Sequence, residues 1–378
     1  MNNPTIFHII TTIDRGGAEK ALLTLVKAQI ESGLEVTVFP LKGDLELLKE
    51  FEANGVRVDH KYSNASLLSQ IRYLRSLSSP RIIMHAHLPR AEIVTFFASV
   101  RNSFVITRHN AEKFFPKAIP SISALLSRCI TSKAAVTIVI SDAVAMFLRI
   151  NNELSRHSKV KTIYYGFDFT SEHKETSHKS AQAGDFKAIV GTISRLAPQK
   201  NLLMFIEVVE LLLSKQIDVQ GQIVGGGPLL TYLQNEIHKR SLDERLILKG
   251  RTNDIETFLR NLDIFVLFSN YEGFGLVLLE AMNEDIPVVA CSNSAIPEVL
   301  GREHPGLIPT GNATIACSRI IGMFSDPDLR NRTIEYQREQ LRLFTVKKYV
   351  SSHAKLYKEI VSYHELNGRI GTANNNDI

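Results

Sequence analysis

Two glutamates, Glu272 and Glu280, stand eight positions apart in the stretch FVLFSNYEGFGLVLLEAMNEDIPVVA at 265–290. An apolar run of strand length opens it, a glycine-broken turn follows, and the chain continues as a helix with Glu272 before it and Glu280 inside it. Gly273 and Gly275 leave the backbone bare at the helix start. The amides of Gly275, Leu276 and Val277 can therefore point at an anion, and the helix dipole favours one there. A phosphate fits that position. Carboxylates do not bind phosphate, so the two glutamates are suited to accept hydrogen bonds from hydroxyls on either side of it, as a sugar and a ribose offer. The combination points to a nucleotide-sugar.

Cations at other strand ends suit the same ligand. Arg195 and Lys200 lie beyond a strand in GTISRLAPQKN, five residues apart across a loop containing Pro198. They can converge on one diphosphate, one as a planar fork and the other as a mobile point charge. In IVGGGPL, Gly225, Gly226 and Gly227 follow a strand, and Pro228 suits the first turn of a helix; the same run also serves as a turn supporting the strand end. Arg251 follows the next strand and could border a nucleobase. Near the start of the chain, Gly16 and Gly17 in DRGGAEK open a helix where the backbone can approach a bound group. The dinucleotide fingerprint G-x-G-x-x-G is absent there. His85 and His87 share one face of a strand end, as a packed or cleft-lining pair without a convincing third metal ligand. His109 ends another strand, where its imidazole could hydrogen-bond a sugar hydroxyl or a phosphate oxygen.

Alternating strands and helices must position these residues. Strands are expected at 6–10, 35–39, 56–59, 81–87, 104–108 and 136–140, with a helix over 18–32 closed by Gly33. After a polar, unpatterned stretch the alternation resumes, with strands at 187–194, 220–224, 246–249, 263–269, 287–290 and 307–308. This is the pattern of βαβ units and parallel sheets. The fold class is α/β, two Rossmann-like doubly wound domains facing each other across a cleft, where such sheets bind ligands. The expected domains are an acceptor-binding one at 1–168, a linker at 169–185 and a nucleotide-sugar-binding one at 186–345. A helix at 346–366 crosses back to the first domain, and 367–378 is a disordered tail.

Composition bounds the function. A chain of 378 residues, 44% hydrophobic and 22% charged, is globular and long enough for two cores. No apolar run reaches the roughly 18 residues needed to span a bilayer, so a cytoplasmic, peripheral protein is expected. Three scattered cysteines, Cys129, Cys291 and Cys317, suggest buried small hydrophobes rather than a disulfide or zinc framework. The net charge of +5 is uneven: up to Thr170 there are 21 Lys and Arg against 14 Asp and Glu, and beyond it 23 against 25. No nucleic-acid motif accompanies the basic half, which favours an anionic lipid surface or acceptor. The segment 113–133 mixes Phe114, Phe115 and Ile119 with Lys117, Arg128 and Lys133, a composition able to rest on a membrane.

Taken in order, GGAE, TRH, SRLAPQKN, VGGGP and EGFGLVLLE span about 270 residues and resemble the retaining glycosyltransferase family 4 of the GT-B fold, with Glu272 and Glu280 as its E-x7-E motif. The resemblance implies transfer of a sugar from a nucleotide-diphosphate donor, a UDP-sugar by preference, with retention of configuration and no cofactor or metal required. It implies a saccharide or lipid-linked acceptor of surface polysaccharide or lipopolysaccharide assembly. Arg195 and Lys200 would neutralise the departing diphosphate, Glu280 would hold the ribose, and Glu272 the donor sugar. Gly275, Leu276 and Val277 would support sugar and phosphate, Gly16 and Gly17 would close over the diphosphate, and His109 would contact the sugar or orient the leaving group. One departure stands out: the family usually places a small residue and a glycine before Pro-Val-Val, where this chain has Asn283, Glu284 and Asp285. If Asp285 takes a left-handed conformation it does so at some cost relative to glycine, and with this departure near the sugar pocket the resemblance assigns no donor sugar. Two other readings share the architecture, a non-hydrolysing nucleotide-sugar epimerase and a non-catalytic nucleotide-sugar-binding subunit.

Overall fold

A computed structural model describes residues 4–79, 81–99, 103–115, 119–169, 188–252 and 254–373. The chain divides into two compact units, one of Met1–Asp168 with Phe344–Ile378 and one of Phe169–Leu343. The first holds strands β1 (Thr5–Ile10), β2 (Val36–Pro40), β3 (Arg57–Val58), β4 (Ile82–His87), β5 (Phe104–Arg108), β6 (Val136–Val139) and β7 (Val160–Thr162). Its helices are α1 (Gly17–Glu31), α2 (Leu48–Ala53), α3 (Leu67–Ser76), α4 (Pro89–Ala98), α5 (Pro120–Lys133) and α6 (Asp142–Ile150). The strands pair in the order β3-β2-β1-β4-β5-β6-β7, all parallel. β7 was not expected: its Val-Lys-Thr is too short and polar to read as a strand, and it sits at the sheet edge.

The second unit holds β8 (Ala188–Ile193), α7 (Leu202–Ser214), β9 (Val219–Val224), α8 (Leu230–Lys239), β10 (Leu246–Gly250), α9 (Ile255–Arg260) and β11 (Ile264–Leu267). Then come α10 (Leu276–Asn283), β12 (Val288–Cys291), α11 (Ile296–Leu300), β13 (Leu307–Ile308), α12 (Ala313–Ser325) and α13 (Pro327–Leu341). Its six strands run parallel in the order β10-β9-β8-β11-β12-β13. In each sheet the winding direction reverses beside the first strand, between β1 and β4 and between β8 and β11. At such a switch point the loops leaving the carboxyl ends part and open a crevice.

The expected linker lies, but for Phe169, outside the described residues. The return to the first unit is direct: the Phe167 amide donates to the Phe344 carbonyl at 2.7 Å, and Phe167 bridges Thr345. The final helix α14 (Val346–Ala373) then packs against α1. The helix begins at Val346, and the segment that joins it to the first unit begins at Phe344. The helix also continues through the segment expected as a tail, of which 374–378 lie outside the described residues. Cys291 and Cys317 are buried, whereas Cys129 is exposed on α5, contrary to expectation.

Candidate active site

In the second unit the loops after β8, β11 and β12 are tied into one surface. The Asn270 amide donates to the Gln199 carbonyl at 2.8 Å, and the Gln199 side chain donates to the Tyr271 carbonyl at 2.9 Å. Across this seam Lys200 Nζ lies 2.5 Å from Oε1 of Glu272, which is 5% exposed. The same oxygen accepts from the Ser269 hydroxyl at 2.6 Å, and the Glu272 amide donates to Ser294 Oγ at 2.7 Å. Asn293 ties that last loop back to the Ser269 carbonyl at 3.0 Å. Glu272 is thus held from three loops. Lys200 uses one of its donors on Glu272 and retains two for a ligand.

Gly275 caps α10 with φ 92° and ψ 58°, a left-handed conformation that glycine adopts freely. It turns the chain sharply, so the first-turn amides of Leu276 and Val277, which have no acceptor within the helix, point out of its N-terminus. Glu280 lies one turn further along, roughly 6 Å up the axis, and is partly exposed. Arg195 is exposed and forms no ion pair among the described residues. Its loop is shaped by the triple glycine. A Cβ at Gly225 would strike the Ser194 carbonyl, and one at Gly227 would lie 2.5 Å from that of Leu196. Leu196 in turn donates to the Gly226 carbonyl at 3.0 Å. Arg251 lies over Gly226, where a side chain would meet its Nε at 2.8 Å. The glycine run therefore supports the strand end and leaves room for Arg251.

The first unit gathers its candidates at the ends of β1, β4 and β5. Gly16 caps α1 in extended conformation, and Gly17 begins the helix. The Glu19 carboxylate folds back over this N-terminus into the space a Gly16 side chain would fill. It accepts from Thr12 at 2.9 Å, and burial raises its pKa. His109 is partly buried, and both ring nitrogens are engaged: Nδ1 with the Tyr165 hydroxyl at 2.5 Å, Nε2 with His87 at 2.9 Å. A sugar hydroxyl reaching this ring must therefore take the place of Tyr165. Arg108, beside it, points inward to Glu92 and Glu153, each at 2.8 Å. Burial pushes Glu92 up to about 7 despite that cation.

Asn283, Glu284 and Asp285 lie at the C-terminal end of α10, opposite its Gly275 cap. Asp285 is left-handed at φ 55°, and its two oxygens accept from Arg338 of α13 at 2.7 Å each. Glu284 pairs with Arg260 at 2.7 Å. A bidentate ion pair thus offsets the backbone cost of a residue other than glycine. Ser269, Asn293 and Ser294 were missed by sequence reasoning. Their one signal was polarity at strand carboxyl ends, which any surface loop shares.

The family descriptions "Glycosyltransferase Family 4" and "Glycosyl transferases group 1" match residues 15–171 and 173–340 respectively. The chain is 24% identical over 300 residues to the N-acetyl-alpha-D-glucosaminyl L-malate synthase of Bacillus anthracis, covering 76% of this chain and 77% of the relative. It is 32% identical over 191 residues to the lipopolysaccharide core biosynthesis mannosyltransferase LpsB of Rhizobium meliloti, covering 48% and 53%. Its fold matches the crystal structure of Anabaena Alr3699/HepE in complex with UDP and glucose with a TM-score of 0.80, at 20% identity over 94% of this chain and all of that one. Matched in both halves and sharing this architecture, the chain belongs to the family 4 type of glycosyltransferases, built on the GT-B fold of two Rossmann-like units.

Proposed function

We propose that this glycosyltransferase moves a sugar from a UDP-sugar to a saccharide or lipid-linked acceptor in surface-glycan assembly, with retention of configuration. The observation that carries the reading is the Lys200–Glu272 pair at the foot of α10. It sets a cation and a hydroxyl-accepting carboxylate beside amides suited to a phosphate. Glu280 takes the ribose, Glu272 the donor sugar, and Arg195 and Lys200 the diphosphate. As the bond from the anomeric carbon to the diphosphate oxygen breaks, the two cations neutralise the departing charge. The acceptor oxygen bonds to that carbon from the same face, and its proton passes to the leaving phosphate oxygen. Glu272 is less suited to act as a nucleophile, because Oε1 already serves Lys200 and Ser269. With the charge met by side chains, the reaction requires no metal ion. The bound UDP of the Anabaena structure and the lipopolysaccharide role named for LpsB support the choice of donor and pathway class. In a transfer assay with a UDP-sugar panel, product is expected to carry the donor's anomeric configuration by NMR, with activity unchanged by chelators. An inverted product would overturn the mechanism, and turnover without any acceptor would favour the epimerase.

The acceptor side includes contact with an anionic membrane through α5. On that helix Ser123, Ser127, Ile130 and Thr131 are buried, while Ile122 and Leu125 are 58% and 62% exposed and Ile119 at its N-cap is 62% exposed. Arg128 and Lys133 are exposed on the same helix; Lys117 lies outside the described residues. Apolar side chains flanked by cations suit an interfacial helix. No helix among the described residues is long and apolar enough to cross a membrane. The protein is expected to co-sediment with phosphatidylglycerol vesicles and far less with phosphatidylcholine ones. Ile122→Asp with Leu125→Asp should abolish that binding, and retained binding would remove α5 from the account.

A further inference from the structure

One face of the first sheet is apolar, with Ile9, Met84, Ala86 and Ile106 packed into a core. The other face is lined by histidines. His8 on β1, His85 and His87 on β4 and Thr107 on β5 are at most 2% exposed, and register places them side by side. Helices α1 and α14 cover them with Gln29, His353 and Tyr357. His8, His85 and His87 have ligand atoms within 4.8 Å of one another, close enough to share an ion. Yet all their ring nitrogens are engaged in hydrogen bonds, and the trio brings no carboxylate to balance a divalent charge.

Four contacts form a single file from the strand end inward. Tyr165 Oη lies 2.5 Å from His109 Nδ1, and His109 Nε2 lies 2.9 Å from His87 Nδ1. His87 Nε2 is 2.9 Å from His8 Nδ1, and His8 Nε2 is 2.9 Å from Gln29 Oε1. A neutral imidazole has one donor and one acceptor nitrogen, so fixing either end of the file orients every ring. At the inner end the Gln29 carbonyl oxygen can only accept. At the outer end the Tyr165 hydroxyl can donate or accept. The Gln29 end therefore fixes the direction, and Tyr165 is compatible with it: Nε2 is protonated and Nδ1 accepts in all three rings.

We infer that Gln29, His8 and His87 are positioning residues that hold His109 as a neutral acceptor at Nδ1. The ring then accepts from a hydroxyl, that of Tyr165 or of a bound sugar, and is the wrong partner for a phosphate oxygen. This rests on the family resemblance, which implies that His109 contacts a sugar. The surroundings keep the file neutral. Burial lowers His8 and His109 to about 3 and His87 well below its ordinary value. The groups facing it are His85 and Thr107 from the sheet, His353, Tyr349 and Tyr357 from α14, and Glu19 and Gln29 from α1, with Lys161 beyond His353.

Long-range 15N–1H NMR of the full chain with labelled histidine tests this without any substrate. Protonated Nε2 is expected for His8, His87 and His109, without titration between pH 6.5 and 8. Gln29→Leu should give mixed tautomers and lower turnover roughly tenfold, the scale on which loss of an outer partner acts, with UDP affinity unchanged. If that variant does not fold, Gln29→Glu keeps the acceptor: it should raise the pKa of His8 and, measured above the pH at which that ring protonates, preserve the tautomers. Protonated Nδ1 at His109, unchanged tautomers in Gln29→Leu, or altered ones in Gln29→Glu would each overturn the inference. The expected tautomers together with no turnover on any nucleotide-sugar would instead count against the proposed reaction alone.

Discussion

Lys200→Ala is expected to lower turnover by about 10²–10³-fold, the cost of deleting one preorganised donor from a site of developing negative charge. Lys200 is the cation tied directly to the carboxylate assigned to the sugar, at 2.5 Å. Its loss strips the departing diphosphate of a positive charge and leaves Glu272, 5% exposed, with Ser269 as its remaining side-chain donor. The stability cost should be roughly 1–3 kcal/mol, as for a buried charged group losing one hydrogen bond, so the protein remains folded. Because the two residues act as a unit, Lys200→Ala combined with Glu272→Ala should cost far less than the product of the single effects. Arg195→Ala, whose guanidinium is exposed and has no ion pair among the described residues, should spare stability. Single-turnover rates with saturating donor measure the effect. A loss below tenfold for Lys200→Ala would remove it from leaving-group stabilisation.

Acidification should unfold the first unit before the second. Burial holds His8 and His109 near 3 and His353 near 4, and pushes His85 and His87 well below their ordinary 6.5. Since the folded values lie below the unfolded one, the unfolded chain takes up protons first as pH falls. The stability is complete above about pH 6.5 and is lost progressively toward the folded values. At pH 5 each such histidine costs about 2 kcal/mol, so together they approach the whole stability of an ordinary domain, about 5–15 kcal/mol. Glu92 acts in the opposite direction: raised to about 7, it favours the folded state as pH falls from 7 toward 4.5, but one carboxyl offsets only about one histidine. In the second unit His304, lowered to about 4, is the one histidine with a resolved shift among the described residues. Hydrogen exchange followed from pH 7.5 to 5 should show the strands of the first sheet losing protection while those of the second keep theirs. Equal protection in both sheets at pH 5 would mean that the histidines accept charge without cost.

The difference between the two sheets also shows where sequence reasoning succeeds. The second unit's candidate site could be named from the sequence because its signals are local: glycine before a helix, a carboxylate on each side, and cations after a strand. The left-handed Asp285 followed from its place in a helix-ending turn, although its partner Arg338, 53 positions away, carries no sequence signal. Of the first unit's histidine file, the sequence singled out His87, beside His85, and His109, each by itself. Its other members come from β1, α1 and the segment after β7, and the neighbouring His85 meets Tyr357 of α14, 272 positions away. Spacing along one strand gives the face a side chain takes, but register between strands decides which side chains meet. A buried parallel strand normally reads as continuous apolar residues, and the lone His8 in TIFHII carries no signal of its partners. Ser294, which meets Glu272, and Tyr165, which meets His109, were hidden for the same reason.

If α10 and its two glutamates form a nucleotide-sugar site, UDP must shift the thermal unfolding of the protein. At 100 times its dissociation constant UDP should stabilise the native protein by about 2.7 kcal/mol. Glu280→Ala should need a clearly higher UDP concentration for the same shift, while Glu272→Ala keeps nearly the native response to UDP and loses turnover. A native protein indifferent to UDP and GDP alike, or one in which Glu280→Ala responds as the native chain does, would contradict the assignment.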